Sequence, residues 1–326
     1  MNQGRPDAIV IGAGVSGLTT AICLAEAGVR VVIWTAEPTE ETTSMAAGAM
    51  WGPYHVEPLD RVQAWGAATL DILRRLTDEP DTGVRLVSGI EAAREPVDPP
   101  AWGDQLDGFR MCAAGELPPG FAAGWRYTAP LVDMPTYLGY LRRRLSATGG
   151  QIERRRVTAL TEAVAEAPVV VNCTGIGARD LVPDPDLFPV RGQLVVVENP
   201  GLTEFFSEDT GSSPDLLHYY PHGDNLVLGG TAQPDLWRRE PDPETAAAIV
   251  HRCAEVEPRL RNARIVAHRV GLRPTRGQVR VERHDMHGVC VVHNYGHGGA
   301  GVTLSWGCAA DAAAFTIAAL TYCKPQ

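Results

Sequence analysis

Two glycine-rich hexapeptides at opposite ends of the chain carry its clearest chemistry. Gly12-Ala13-Gly14-Val15-Ser16-Gly17 follows the apolar run Ala8–Ile11 and opens a helix-forming stretch. In that setting Gly12 permits a tight turn, Gly14 lets a pyrophosphate approach the backbone, and Gly17 lets the helix pack on the strand. The unpaired N–H groups and dipole of the helix start favour an anion. Gly296-His297-Gly298-Gly299-Ala300-Gly301 lies near the C-terminus, before a second helix-like segment. It can bring bare backbone against a flat ring. Together the two signals imply a flavin dinucleotide held where the chain ends meet.

Three smaller sets add polar chemistry. Thr42-Thr43-Ser44, ahead of Ala46-Ala47-Gly48-Ala49, offers three hydroxyls to phosphate or ribitol oxygens; the alternative is a Thr-rich loop that caps the next segment. The second strand ends Trp34-Thr35-Ala36-Glu37, with Thr35 where a ribose-binding acid is expected and Glu37 two residues late. The ribose therefore falls either to Glu37 or to backbone and hydroxyl groups. Arg273 precedes Pro274, and its guanidinium is a fixed positive charge that can pair with an anion. A structural ion pair is the alternative for Arg273 and the preferred reading for Arg276 and Arg280.

These residues need elements to position them. Residues 8–34 read as β-α-β, with Gly28 closing the helix. Helices are expected over 61–76, over 134–145 with Asp133 as N-cap, over 241–256 and over 302–320. Residues 168–172 and 289–293 read as buried strands, and 194–197, 216–220, 226–228 and 265–272 as antiparallel ones. Alternation puts His218 and Tyr220 on one face and Tyr219 on the other. The fold class is α/β: a Rossmann-like dinucleotide domain with a parallel sheet, and a second domain on an antiparallel sheet. The expected division is 1–55, 131–190 and 274–326 for the cofactor, and 56–130 with 191–273 for the substrate.

The 326 residues are 44% apolar and 21% charged, with net charge −10, which argues against a nucleic-acid groove. Seven cysteines show no metal-ligand spacing, as free thiols in a reducing cytoplasm would; one disulfide stays open. No apolar run reaches the ~20 residues of a membrane span, and no signal-peptide layout is present. The expectation is a cytoplasmic enzyme with no metal, no nucleic-acid partner and no membrane contact. The sequence leaves its oligomeric state open, a homodimer included.

The ordered set Ile9-Val10-Ile11-Gly12-Ala13-Gly14, Thr42-Thr43-Ser44, Trp51-Gly52-Pro53-Tyr54, Asp133-Met134-Pro135, Asn172-Cys173-Thr174-Gly175, Arg191-Gly192-Gln193, Gly271-Leu272-Arg273-Pro274 and His293-Asn294-Tyr295-Gly296-His297-Gly298-Gly299 resembles the D-amino acid oxidase family across nearly the whole chain. The resemblance implies non-covalent FAD. It assigns cofactor contacts to Gly12, Ala13, Gly14, Val15, Ser16, Gly17, Ala36, Glu37, Thr42, Thr43, Ser44, Gly48, Ala49, Met50, Val157, Cys173, Thr174, Gly175, Arg273, Gly298, Gly299, Gly301, Val302 and Thr303. It puts the substrate carboxylate on Arg273 and the ammonium on the Gly299 carbonyl. His218 stands where many relatives have a tyrosine, so either His218 or Tyr220 contacts the carboxylate. Met50, Gly52 and Tyr54 border the pocket.

The implied reaction is oxidative deamination: hydride passes from Cα to flavin N5, and oxygen, the second substrate, becomes hydrogen peroxide. Residues 201–236 contain no Arg or Lys, so a neutral or apolar D-amino acid is favoured. D-aspartate oxidase and a glycine- or sarcosine-type amine oxidase are the alternatives within flavoenzymes. A nicotinamide dehydrogenase would need a second nucleotide fingerprint, and a non-catalytic sensor would not need Arg273 with Gly299.

Overall fold

The computed structural model describes residues 5–52, 56–100, 102–208, 216–286 and 289–322. Tyr54 lies outside them. Strand β1 (Ala8–Ile11) is buried at all four positions and pairs in parallel with β2 (Val31–Thr35) and β7 (Val169–Asn172). A strand covered on both faces has to be apolar throughout, as Ala-Ile-Val-Ile is. Helix α1 (Val15–Glu26) joins β1 to β2, and Gly28, at φ +82°, turns the chain after it. Strand β6 (Gln151–Arg154) adds beside β2, and β14 (Val289–His297) beside β7, both parallel.

The sheet then continues antiparallel. Strand β13 (Ile265–Met286) pairs with β14 on one side and β8 (Phe188–Glu198) on the other. Beyond β8 come β11 (Asn225–Gly229), β10 (His218–His222) and β9 (Phe205–Glu208). Last are β3 (Val84–Ala93), β5 (Ala123–Val132) and β4 (Asp107–Met111), with the short β12 (Gln233–Pro234) on β8. Among the described residues this is one 14-stranded sheet, in which β3 and β9 are parallel neighbours within the otherwise antiparallel part.

Helices cover both faces. Helix α1 packs with α2 (Leu59–Leu76), α3 (Met134–Ala147) and α7 (Ser305–Tyr322) in one apolar core. Helix α6 (Pro243–Val256) covers Val195, Val197, Leu226 and Leu228 on the far side. The short α4 (Leu160–Val164) and α5 (Ala178–Leu181) flank β7. Small residues let α7 come close: a Cβ on Gly307 would lie 2.4 Å from the Trp65 Cα.

Several boundaries differ from the sequence reading. The strand expected over 265–272 runs to Met286, because Pro274 pairs opposite Pro189 and a register shift follows between Thr275 and Arg280. The helix expected from 302 starts at Ser305, after a tight turn at Gly298–Ala300. Strands β3 and β5 were not anticipated, although Trp125, Tyr127, Ala129 and Leu131 alternate and are buried; Gly89, Gly124 and Pro130 hide the pattern. Asp133 precedes α3, yet its carboxylate accepts the Thr136 hydroxyl and caps no backbone N–H.

The tightest backbone approach joins α1 to β1. A Cβ on Gly17 would sit 1.9 Å from the Gly12 carbonyl oxygen, and one on Gly12 2.4 Å from that of Cys173. Gly17→Ala should therefore lower stability by about 1–3 kcal/mol, read as an earlier urea-unfolding midpoint. Gly115→Ala, where no atom lies within 4 Å of the added carbon, should leave the midpoint unchanged.

Candidate active site

A cavity of about 1200 Å³ runs between the glycine turn after β1, the loop 42–52, β13 and the Gly298–Ala300 turn. It exceeds the ~300–1,000 Å³ of most small-molecule sites. Every residue that the sequence marks for cofactor or substrate contact borders it, except Gly17 and the undescribed Tyr54. Gly17 is turned instead to the packing contact just described.

At one end α1 points its N-terminus at the cavity. Its N-cap is Gly14 and its first turn carries no acid, so nothing there competes with an anion. The Val15 N–H donates to Ser44 Oγ at 2.9 Å, and a Cβ on Gly14 would lie 3.0 Å from that oxygen. The Ser44 hydroxyl accepts in that bond and keeps its own proton to donate. The other two hydroxyls have protein partners: Thr42 donates to the Thr39 carbonyl at 2.7 Å, and Thr43 to the Leu272 carbonyl at 3.2 Å. Thr43 thus ties this loop to β13 beside Arg273.

Glu37 also borders the cavity, but its carboxylate pairs with Arg239 Nη1 at 2.7 Å. Arg239 donates to the Glu41 carbonyl as well, so a residue from the far side of the chain straps this end.

At the other end Arg273 Nη1 donates to the Thr231 carbonyl at 2.8 Å. Its guanidinium lies flat on Gly192, where a Cβ would stand 2.6 Å from Cζ. Arg276 and Arg280 serve a separate cluster. Arg276 pairs with Asp184 at 3.0 Å, and Arg280 donates to the Tyr295 hydroxyl, which donates to Asp184 at 2.7 Å.

His218 stacks on Tyr220 with ring centroids 4.3 Å apart, over Gly229 and under Gly48. A Cβ on Gly229 would fall 1.8 Å from His218 Cε1, so only glycine leaves room for the ring. Burial pushes the His218 pKa down to about 4, despite its hydrogen bond to the Leu216 carbonyl. The ring is neutral at pH 7. Its Nδ1, 2.9 Å from that carbonyl, must carry the proton, because a carbonyl can only accept. Nε2, buried and without a hydrogen-bond partner, is therefore an acceptor. The Tyr220 hydroxyl donates to Ser207 Oγ at a long 3.5 Å, and burial raises its pKa.

The C-terminal turn is braced from behind and above. His297 Nε2 meets Asn294 Oδ1 at 3.0 Å, and Asn294 Nδ2 donates to Thr20 at 3.0 Å. Gly298 has φ +54°, and Gly299 is exposed at the cavity wall. The Thr303 hydroxyl donates to the Gly52 carbonyl at 3.0 Å, closing the turn onto the loop 42–52.

Sequence reasoning missed Arg239, the Thr231 carbonyl, and the cavity-lining Glu91, Trp125 and Ser207. The last three sit on β3, β5 and β9, and the alternation in 123–132 was the one signal that could have found them. Among the described residues no three His, Cys, Asp or Glu are grouped to hold a metal, and no helix is long and apolar enough to cross a membrane.

Comparison with known proteins places this geometry. Residues 7–315 match the family described as FAD dependent oxidoreductase. A D-amino-acid oxidase from Streptomyces coelicolor is 51% identical over 312 residues, covering 94% of this chain and 95% of that protein. A D-amino-acid oxidase from Rubrobacter xylanophilus is 49% identical over 316 residues, covering 96% and 97%. The fold is shared with glycine oxidase from Geobacillus kaustophilus at TM-score 0.79 and 21% identity, covering 99% of this chain and 96% of that one.

The buried histidines set a pH dependence. Burial holds His218, His293 and His297 each near pKa 4. Between about pH 6.5 and 4 the unfolded chain binds protons that the folded chain refuses. Stability is present above about 6.5 and is lost as pH falls through that window, by about 1.4 kcal/mol per pH unit for each histidine. Urea midpoints measured from pH 7 to pH 4.5 should fall accordingly, and His297→Gln should make the fall shallower, His218, His293 and the likewise lowered His222 keeping the rest.

Proposed function

The chain belongs to the FAD dependent oxidoreductase family, and from that membership we propose that it oxidatively deaminates neutral D-amino acids to 2-oxo acids, with ammonia and hydrogen peroxide as the other products. The observation that carries the reading is Arg273, a guanidinium laid flat on Gly192 at the cavity wall, between the loop 42–52 and the Gly298–Ala300 turn. The similarity at 49% and 51% to proteins named D-amino-acid oxidase supports it. We also place the protein in the cytoplasm; the six described cysteines are free thiols.

The cavity residues fit FAD. The acid-free start of α1 takes the pyrophosphate, with the Val15 N–H and the Ser44 hydroxyl as donors. A side chain on Gly14 would press on Ser44 in that cradle. Ala36, Glu37 and Val157 border the adenosine end; Gly48, Ala49, Gly299, Gly301, Val302 and Thr303 border the ring end. Bound FAD supplies the hydride acceptor and the route for electrons to oxygen.

The chain's own residues position the substrate. Arg273 takes the carboxylate through a charge-assisted pair, and the Tyr220 hydroxyl, turned from its long bond to Ser207, is the second donor to it. His218 Nε2 cannot donate to that carboxylate in its observed state, so it joins the Gly299 carbonyl as an acceptor for the amine. With carboxylate and amine both held, rotation of Cα is removed, and positioning is the main rate contribution. With its pKa near 4 the neutral His218 ring is a weak base, so the amine must arrive neutral or lose its proton to solvent. Activity should rise with pH accordingly.

Arg273→Met should lower kcat/KM for D-alanine and D-valine by about 10²–10³-fold while the bound flavin keeps its visible absorbance. The check is an anaerobic titration of the yellow holoenzyme, in which D-enantiomers bleach the band and L-enantiomers do not. Bleaching by sarcosine or glycine with no response to any D-amino acid would overturn the reading.

A further inference from the structure

The segment 231–242 runs past the cavity from its substrate end to its adenosine end. At its start the Thr231 carbonyl accepts from Arg273 at 2.8 Å, and near its end Arg239 reaches Glu37. The root of the segment is fixed. Arg191, 1% exposed, donates from Nε to the Arg238 carbonyl and from Nη2 to the Glu240 carbonyl, each at 2.8 Å. Its Nη1 donates to Gln233 Oε1 at 2.7 Å, and Gln193 Nε2 donates to the Asp242 carbonyl at 2.7 Å. Burying a guanidinium is costly unless its donors are satisfied, and here two of the satisfying carbonyls lie on either side of Arg239. The backbone that carries Arg239 is therefore held still, while its side chain, 46% exposed, can swing.

The tip of that side chain bridges to another part of the chain. Arg239 Nη1 pairs with Glu37 Oε1 at 2.7 Å, and Nη2 donates to the Glu41 carbonyl. Both partners lie on the loop that follows β2. Three residues beyond Glu41, the Ser44 hydroxyl accepts from the Val15 N–H at the start of α1. One guanidinium thus holds the entry to the loop that carries a pyrophosphate donor. Two bonds from one planar fork fix orientation as well as distance, which a single ammonium would not. Arg156, Thr158 and Arg239 are exposed and border the cavity, so the cavity meets solvent at this end.

We propose that Arg239 is a cofactor-retaining residue: its guanidinium clasps the loop 36–44 across the adenosine end of the cavity and must let go of Glu37 and Glu41 before FAD enters or leaves. Both side chains of the ion pair are partly exposed, so it adds little to the stability of the fold. Its effect falls on cofactor exchange, because opening it loosens one loop and leaves the sheet and helices standing. The inference rests on FAD as the cofactor and is independent of which amine is oxidised.

The test follows release of FAD after dilution of the holoenzyme, read as recovery of free flavin fluorescence, with the thermal midpoint of the apoprotein measured alongside. Arg239→Met, which keeps the length of the stem, should speed release by about 3–10-fold and leave the apoprotein midpoint within about 2 °C of native. Arg239→Lys keeps the charge without the fork and should release FAD at a rate between the two. Glu37→Gln should also speed release. Combined with Arg239→Met it should release no faster than Arg239→Met alone, because both remove the same bridge. Rate increases that multiply in the double variant would mean two independent cofactor contacts and overturn the clasp. Release from Arg239→Met at the native rate, or faster release matched by a fall in the apoprotein midpoint, overturns it as well. A native protein that takes up no FAD overturns the cofactor assignment itself, and this inference with it.

Discussion

The whole arrangement hangs on β13. Its first part pairs with β8 in the antiparallel half, and its last part pairs with β14, which lies against the parallel half. Arg273 stands two residues before Thr275, which pairs with both β8 and β14 and after which the β14 pairing shifts register. The guanidinium therefore sits next to the join of the two halves of the sheet, held from the antiparallel side by Gly192 and the Thr231 carbonyl. Pro274 and Gly192 sharpen the constraint: one removes a ladder donor, and the other clears the surface on which the guanidinium lies flat. Thr43 holds the strand from the other side through the Leu272 carbonyl.

Around that junction the site is built more from backbone than from side chains. Gly12, Gly14, Gly48, Gly192 and Gly229 each leave a space that a Cβ would fill or crowd. Missing side chains give a flat cofactor and a stacked imidazole their room. The polar groups that remain are mostly committed in advance, His218 to Leu216, His297 to Asn294, and Thr42 to Thr39. Such commitments lower the reorganisation needed when a substrate arrives.

Much of this was legible in the residues, and what was not has physical reasons. Both glycine signals and the hydroxyl triad could be read because they are local: strand, turn and helix follow one another within a few residues. Arg273 was singled out by the family resemblance, with which its guanidinium chemistry and its proline agree. The direction of the His218 acceptor could not, since it depends on the Leu216 carbonyl and on burial by distant strands. Glu37 was found, but its partner Arg239 is 202 residues away in sequence. Glu91 was lost with its strand, because Gly89 and Pro130 break the hydrophobic alternation that would have revealed β3 and β5. The Thr43 hydroxyl, read as a ligand contact, borders the cavity and also braces β13 through the Leu272 carbonyl, a partner 229 positions away.

The braces across the cavity join residues far apart along the chain. Thr43 and Leu272 are separated by 229 positions and Gly52 and Thr303 by 251; in the core behind them Thr19 of α1 bonds the Ser305 carbonyl 286 positions on. Closing such long loops costs entropy before any contact repays it, so topology of this kind slows folding. Synthesis runs from the N-terminus, and the glycine turn after β1 leaves the ribosome long before its C-terminal partners exist. The cofactor cradle is thus completed by residues made much later than its first turn. Cofactor binding, which favours only the closed form, then acts as a latch on the finished fold.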